Sequence, residues 1–269
     1  MPDPLRRSED DPWIIIPARF ASTRFPGKPL VRLTNGSGVQ RTLIEWSWRA
    51  ARAVEGAGQV IVATDDQRIA DEVVRFGGVA VLTPLECTNG TERCAAAVAD
   101  MASPPEIVVN FQGDAPLTPP AFVTAVLERM RAELGLAMAT PAIPCRGETY
   151  AHLVADRSAG RVGGTTVVFN RQGHALYFSK NIIPFVPPKQ GEGADAVHLH
   201  LGIYACRRAA LAAYLAAPPS RLEALEGLEQ LRFLDMGLAV GVVLCEPPDG
   251  STIELNNPTD VVLMERELL

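Results

Sequence analysis

The chain of 269 residues is short of thiols. Its five cysteines, Cys87, Cys94, Cys145, Cys206 and Cys245, are odd in number and contain no CxxC pair. That excludes a disulfide framework and a thiolate zinc site, and points to a reducing cytoplasm. No run approaches the roughly 18 apolar residues of a membrane span. The start, MPDPLRRSEDDPW, carries arginines without an apolar run behind them, so it reads as a polar tail rather than a secretory signal. Positive charge is also scarce. Lys plus Arg number 25 against 31 Asp plus Glu, a net charge of −6, which argues against a general nucleic-acid partner. Neither a Walker A pattern nor GxGxxG occurs, and Gly56-Ala57-Gly58 precedes a strand rather than following one. No GxSxG elbow supports a serine hydrolase.

What is present is a core. At 47% hydrophobic and 21% charged, the chain can bury a globular interior. Residues 13–17 (WIIIP) read as a strand buried on both faces, and Ile44, Trp48 and Ala51 form a helical stripe. Strands are predicted at 60–64, 79–82 and 107–111. Helices are predicted over 66–76, from 91, and after Pro119 and Pro120, where Phe122, Val123, Val126, Leu127 and Met130 share one face. This alternation implies an α/β fold with a largely parallel sheet covered on both sides, its ligand edge at the strand C-termini. In the second half, a hairpin is predicted over 167–169 and 175–178, strands at 199–204 and 240–244, a loop over 184–193, a Leu/Glu helix over 221–234, and a closing helix from Pro258. No linker divides the chain. The expected organisation is a tail, 1–12, and one domain, 13–269, with a smaller β-containing lobe.

Two segments concentrate chemistry. Residues 17–30 (PARFASTRFPGKPL) follow the first strand and gather Arg19, Arg24 and Lys28 with Ser22 and Thr23. Guanidinium forks, a point charge, hydroxyls and backbone N–H groups make a cradle for a polyphosphate; a solvated basic loop is the alternative. Residues 110–116 (NFQGDAP) end a strand in a turn that carries Gln112 and Asp114 toward the same edge. A carboxylate facing a basic loop suits Mg²⁺–triphosphate, since Mg²⁺ takes few protein carboxylates and several phosphate oxygens. NGTER at 89–93 offers Thr91 as a helix cap and Arg93 toward a ligand. His198 and His200 share a strand face, but no third zinc ligand is apparent.

These blocks, with TDD at 64–66, ALYFSK at 175–180, HLGIY at 200–204 and LEQLR at 228–232, stand in one order. Together they resemble the 3-deoxy-manno-octulosonate (Kdo) cytidylyltransferases from about Trp13 to the last helix. The resemblance implies a three-layer α/β/α, nucleotide-diphosphosugar-transferase-like fold with a mostly parallel central sheet, usually dimeric. It also implies transfer of CMP from CTP to a 2-keto-3-deoxy sugar acid by in-line attack on the α-phosphorus, releasing pyrophosphate. By the same resemblance, Arg19, Lys28 and Asp114 are catalytic. Pro17, Ala18, Arg19, Ser22, Arg24, Lys28, Thr91, Arg93 and Gln112 bind nucleotide, and Gln112, His200, Tyr204, Glu229 and Gln230 bind the acceptor. Asp114 and Asn256 hold Mg²⁺. The implied partners are CTP and an acidic small molecule, with no nucleic acid and no membrane span, in a cytoplasmic homodimer.

Four positions depart from the family pattern. Ala115 follows Asp114 where Glu is usual, and Asn256 stands where the family has the Asp of a DTPEDL-like block. Leu199 replaces an Arg before HLGIY, and Thr166 replaces a cation near the hairpin. A neutral Asn256 should weaken metal binding unless a different carboxylate helps, and the last two changes remove positive charge from the acceptor side. Kdo is the default acceptor. A related sugar acid, another small acid such as a phosphonate or carboxylate, and a CTP-binding member without turnover are the alternatives.

Overall fold

The computed structural model describes residues 11–21, 24–99, 101–187, 196–248 and 254–268. Ser22, Thr23, residues 1–10 of the expected tail and residues 188–193 of the expected 184–193 loop lie outside the described residues. In chain order the elements are β1 (Trp13–Ala18), β2 (Arg32–Thr34), β3 (Gln40–Thr42), α1 (Leu43–Arg52), β4 (Val60–Thr64), α2 (Gln67–Arg75), β5 (Val79–Leu82), α3 (Gly90–Ala99), β6 (Ile107–Asn110) and α4 (Pro120–Ala132). There follow β7 (Met138–Pro144), α5 (Gly147–Ser158), β8 (Thr166–Phe169), β9 (Ala175–Ser179), β10 (His198–His200), β11 (Tyr204–Arg207), α6 (Arg208–Ala216), α7 (Arg221–Glu226), α8 (Leu231–Asp235), β12 (Val240–Leu244) and α9 (Val261–Glu267).

The large sheet runs β5-β4-β1-β6-β11-β7-β10-β8-β9, with β12 beside β7. β5, β4, β1 and β6 are mutually parallel, and β12 is parallel to β7, while β9, β10 and β11 are antiparallel to their neighbours. β1 shows why both faces are covered. Ile14 and Ile16 point into a cluster with α1, α2 and α4, whereas Ile15 points into one with α3, α6 and α8. All three isoleucines are fully buried, giving the α/β/α layering that the apolar run implies. A third, smaller cluster seats α9: Leu255, Met264 and Leu268 pack on Leu33 and Leu43. That packing brings residues 254–256 to the ligand edge of the sheet, where the Leu255 N–H donates to the Asp114 carbonyl at 2.9 Å.

Two expected elements are divided. The 199–204 strand is β10 and β11, separated at Gly202, where the Ile203 N–H turns back onto the Leu201 carbonyl at 2.7 Å. The 221–234 helix is α7 and α8, because Gly227 adopts a left-handed φ of 62° and closes the first helix on the Glu223 carbonyl. Five elements were not expected at all: β2, β3, β7, α5 and α6. β7 hid behind Pro141 and Pro144, residues that ordinarily argue against a central strand.

Candidate active site

The strand-to-helix loops on one edge enclose a cavity of about 330 Å³. Pro17, Ala18 and Arg19 come from the end of β1, and Arg24 and Lys28 from the loop behind it. Thr88, Asn89 and Gly90 come from the approach to α3. Gln112, Gly113 and Asp114 follow β6. Gly113 is required there: a Cβ would stand 2.9 Å from the Pro17 carbonyl. The Gly113 carbonyl is in turn fixed by the Ser47 hydroxyl at 2.8 Å, which aims the Asp114 turn at the basic loop. Lys28 Nζ reaches Asp114 Oδ2 at 2.5 Å, both side chains being partly buried. Arg19 is exposed on the rim. Arg93 is buried and already engaged, donating to Thr83 at 2.6 Å and to Asp65 Oδ2 at 2.9 Å. Thr91 is buried just behind the wall, where its N–H donates to Glu229 at 3.0 Å.

A second cavity, of about 530 Å³, adjoins the first through a common wall of Arg24, Gln112, Asp114 and Asn256. Its lining also contains His200, Tyr204 and Gln230, three residues singled out in the sequence, together with Lys180, Leu199 and Glu254. His200 is buried between Phe178 and Tyr204, with Nε2 3.0 Å from the Thr140 hydroxyl. Burial lowers its pKa to about 3, so it is a neutral hydrogen-bonding group. The Tyr204 hydroxyl donates to Gln230 Oε1 at 3.3 Å, and burial raises its pKa well above the ordinary value. Glu229 is not in this wall. It accepts the Thr91 N–H at the start of α3, and burial raises it to about 7 against the pull of that bond.

The four departures have distinct structural consequences. Thr166 is buried, donates to the Asn181 carbonyl at 2.6 Å and accepts the Ile183 N–H at 3.2 Å, so it fixes a turn. Leu199 turns an apolar side chain into the second cavity, and Ala115 lies beside it in a small adjoining recess. Asn256 Oδ1 accepts from Arg24 at 3.4 Å, and its amide nitrogen is 3.5 Å from Glu254 Oε2. Desolvation, with Asp114 nearby, raises the pKa of Glu254.

The sequence reading missed Lys180 and Glu254 as parts of this site. Lys180 ends the ALYFSK block, and Glu254 lies two residues before Asn256, so both stood beside residues already singled out. The His198–His200 pair forms no metal centre: His198 bonds the Ala196 carbonyl and His200 faces Thr140. Among the described residues, no group of three or more His, Cys, Asp or Glu is placed to hold a metal.

The arrangement is a basic, loop-lined cavity for a polyphosphate joined to a second polar cavity at Asp114. A family model described as cytidylyltransferase matches residues 13–240. The chain belongs to the cytidylyltransferase family. Within this family it is 47% identical over 251 residues to the 3-deoxy-manno-octulosonate cytidylyltransferase of Maricaulis maris, covering 93% of this chain and 94% of that one. It is 38% identical to the enzyme of the same name from Vibrio cholerae, over 94% and 96% of the two chains. Among solved structures, it resembles CMP:2-keto-3-deoxy-manno-octonic acid synthetase complexed with CTP, at a TM-score of 0.80 and 32% identity. That match covers 94% of this chain and 96% of the other. The three-layer fold with its mostly parallel central sheet is therefore the fold of this cytidylyltransferase.

Proposed function

We propose that this cytidylyltransferase transfers CMP from CTP to Kdo, releasing pyrophosphate. The observation that carries the reading is the shared wall: Arg24, Gln112, Asp114 and Asn256 border both cavities, so an α-phosphate in one can face a hydroxyl in the other. CTP occupies the first cavity, where Arg19, Arg24 and Lys28 take the triphosphate and backbone at Pro17 and Ala18 lines the nucleoside side. Arg93 and Thr91 hold the wall through Asp65 and Glu229. The acceptor occupies the second cavity, its carboxylate toward Lys180 and Arg24 and its hydroxyls toward Gln112, His200, Tyr204 and Gln230. Glu229 serves from behind by fixing the start of α3.

The acceptor oxygen forms a bond to the α-phosphorus as the bond to the bridging oxygen breaks. Pyrophosphate leaves on the opposite side and the hydroxyl proton is lost to solvent. Positioning and charge neutralisation supply most of the acceleration. Lys28 releases Asp114 on meeting the triphosphate, and Arg24 bridges the two substrates. The donors at the junction fit Mg²⁺: Asp114 and Glu254 carboxylates and the Asn256 amide oxygen are hard ligands, few in number, leaving positions for phosphate oxygens. Mg²⁺ bound there would neutralise charge on the phosphates. Glu254 supplies the negative charge that Asn256 lacks.

Leu199 favours a second reading, an acceptor that presents an apolar face where Kdo relatives meet an Arg. A pyrophosphate-release assay over CTP, UTP and ATP, each with Kdo and a panel of other sugar acids, phosphonates and carboxylates, separates these readings. The expected result is release with CTP and Kdo. Release with another acid only selects the second reading, and CTP binding without release in any mixture defeats both. The same reading places the protein in the cytoplasm as a single 13–269 domain. It also pairs the chain as a homodimer, for which the exposed Phe185 beside Tyr150, Ile182 and Val186 offers an apolar surface. Light scattering on the purified protein tests the dimer. Among the described residues, no helix is long and apolar enough to cross a membrane.

A further inference from the structure

One buried ion cluster lies outside both cavities. Arg232, in α8, is 2% exposed. Its Nε and Nη2 donate to the two oxygens of Glu223 at 2.7 and 2.6 Å, and Nη2 also donates to Glu92 Oε1 at 2.9 Å. The guanidinium carbon lies 4.0 Å from the Tyr214 ring centroid. One cation thus holds two carboxylates from helices more than a hundred residues apart in sequence. Buried ionic groups of this kind are weak contributors to stability compared with apolar packing of equal volume, so another reason for their presence is needed.

The arms of the cluster lead to both substrates. Toward the nucleotide, Glu92 Oε2 accepts the N–H and the hydroxyl of Thr88 at 2.7 and 2.8 Å. The Tyr214 hydroxyl accepts from Asn89 Nδ2 at 3.1 Å. Thr88 and Asn89 are in the wall of the first cavity. Toward the acceptor, α7 starts in a capping box between Ser220 and Glu223 and ends at Glu226. Glu226 accepts the Ser179 hydroxyl at 2.8 Å and the Lys180 N–H at 3.0 Å. Gln230, two residues before Arg232, forms part of the second cavity beside Lys180. Between these arms, Glu229 caps the start of α3 through Thr91.

We propose that Arg232, with Glu92 and Glu223, is a positioning brace. It fixes the Thr88–Asn89 wall of the nucleotide cavity and the Lys180–Gln230 side of the acceptor cavity in one register. None of the three reaches either cavity, so the brace acts only through the residues it holds. The proposal rests on the two-substrate reading given above and adds to it a device that aligns the substrates.

Steady-state kinetics of Arg232→Met, Arg232→Lys and Glu223→Gln, run well below each variant's melting temperature, test it. Arg232→Met and Glu223→Gln are expected to raise the KM for CTP and for Kdo together, each roughly three- to tenfold, with a smaller change in kcat. Arg232→Lys, which keeps the charge, recovers part of both values. Glu92→Gln combined with Glu223→Gln is expected to be clearly non-additive in the CTP KM. A lowered melting temperature with both KM values within twofold of wild type overturns the brace, as does a change in one KM alone. If Arg232→Met fails to fold, Arg232→Lys and the two glutamate variants decide the matter. If the wild-type protein releases no pyrophosphate from CTP and Kdo, the functional reading fails separately. Calorimetric dissociation constants for CTP and Kdo then replace the KM values under the same criteria.

Discussion

The two cavities differ in how their charge is arranged. The first cavity, proposed for the nucleotide, is lined by Arg19, Arg24, Lys28 and Arg93 and, among the described residues, has one carboxylate, Asp114, paired with Lys28. The second cavity, proposed for the acceptor, has Arg24 and Lys180 together with Asp114 and Glu254, and Leu199 adds an apolar side chain to its lining. A triphosphate is bound by charge wherever cations converge, whereas a sugar acid is recognised by a few placed polar groups and one carboxylate contact. On the proposed reading the nucleotide half is the more constrained by charge, while Leu199 and Thr166, which depart from the family pattern, belong to the acceptor half and Asn256 to the wall between them. Thr166 shows how such a change is absorbed, its hydroxyl now holding backbone at residues 181 and 183.

The sharpest way to break the comparison is at the junction. Asp114→Asn removes the one carboxylate common to both cavities and is expected to lower kcat by about 10³-fold while the protein stays folded. Single-turnover product formation and a thermal melt check both parts. Next in size are the paired variants Lys28→Met and Lys180→Met. The first should raise the CTP KM by roughly ten- to a hundredfold and leave the Kdo KM near wild type, and the second should do the reverse. Equal effects on both substrates would show that the cavities are not separate. Asn256→Asp restores a charge and should tighten Mn²⁺ binding by several-fold, read by electron paramagnetic resonance; no gain would mean that Glu254 already meets the need.

The smallest effect is on acid stability. Buried His200 has a folded pKa of about 3 against an ordinary 6.5. Below pH 6.5 the unfolded chain binds a proton that the folded chain refuses, so folding stability falls with falling pH through that window. By pH 5 the loss from this group is about 2 kcal/mol. His200→Asn should flatten the pH dependence of the denaturation midpoint between pH 7 and 5, and an unchanged slope would show that His200 does not carry it.

The difference between the halves also explains what was legible in the sequence. The nucleotide half is built from parallel strands and crossover helices whose apolar periodicity is plain, and its ligand groups sit in one loop, one turn and the start of α3. Most of the residues singled out there border the first cavity, with Ser22 outside the described residues and Thr91 just behind the wall. The acceptor half depends on a strand that carries Pro141 in its middle, on short strands β10 and β11, and on side chains far apart in sequence. Glu254 lines the same cavity as Lys180 because α9 packs on Leu33 and Leu43 and brings residue 254 back to the sheet edge. The bond between Arg232 and Glu92 spans 140 residues, and no local pattern announces it. Glu229 carries a carboxylate in a matching motif, yet only the structure shows it turned to the start of α3 rather than into the cavity.

The central claim is that the two substrates meet at the wall formed by Arg24, Gln112, Asp114 and Asn256. A crystal structure with Mg²⁺, a non-hydrolysable CTP analogue and Kdo tests it most directly. The account expects the triphosphate against Lys28 and Arg19, the Kdo carboxylate at Lys180, and the acceptor oxygen about 3–3.5 Å from the α-phosphorus beside Asp114, in line with the leaving group. A triphosphate outside the first cavity, or a Kdo molecule that cannot reach the α-phosphorus across that wall, would contradict it.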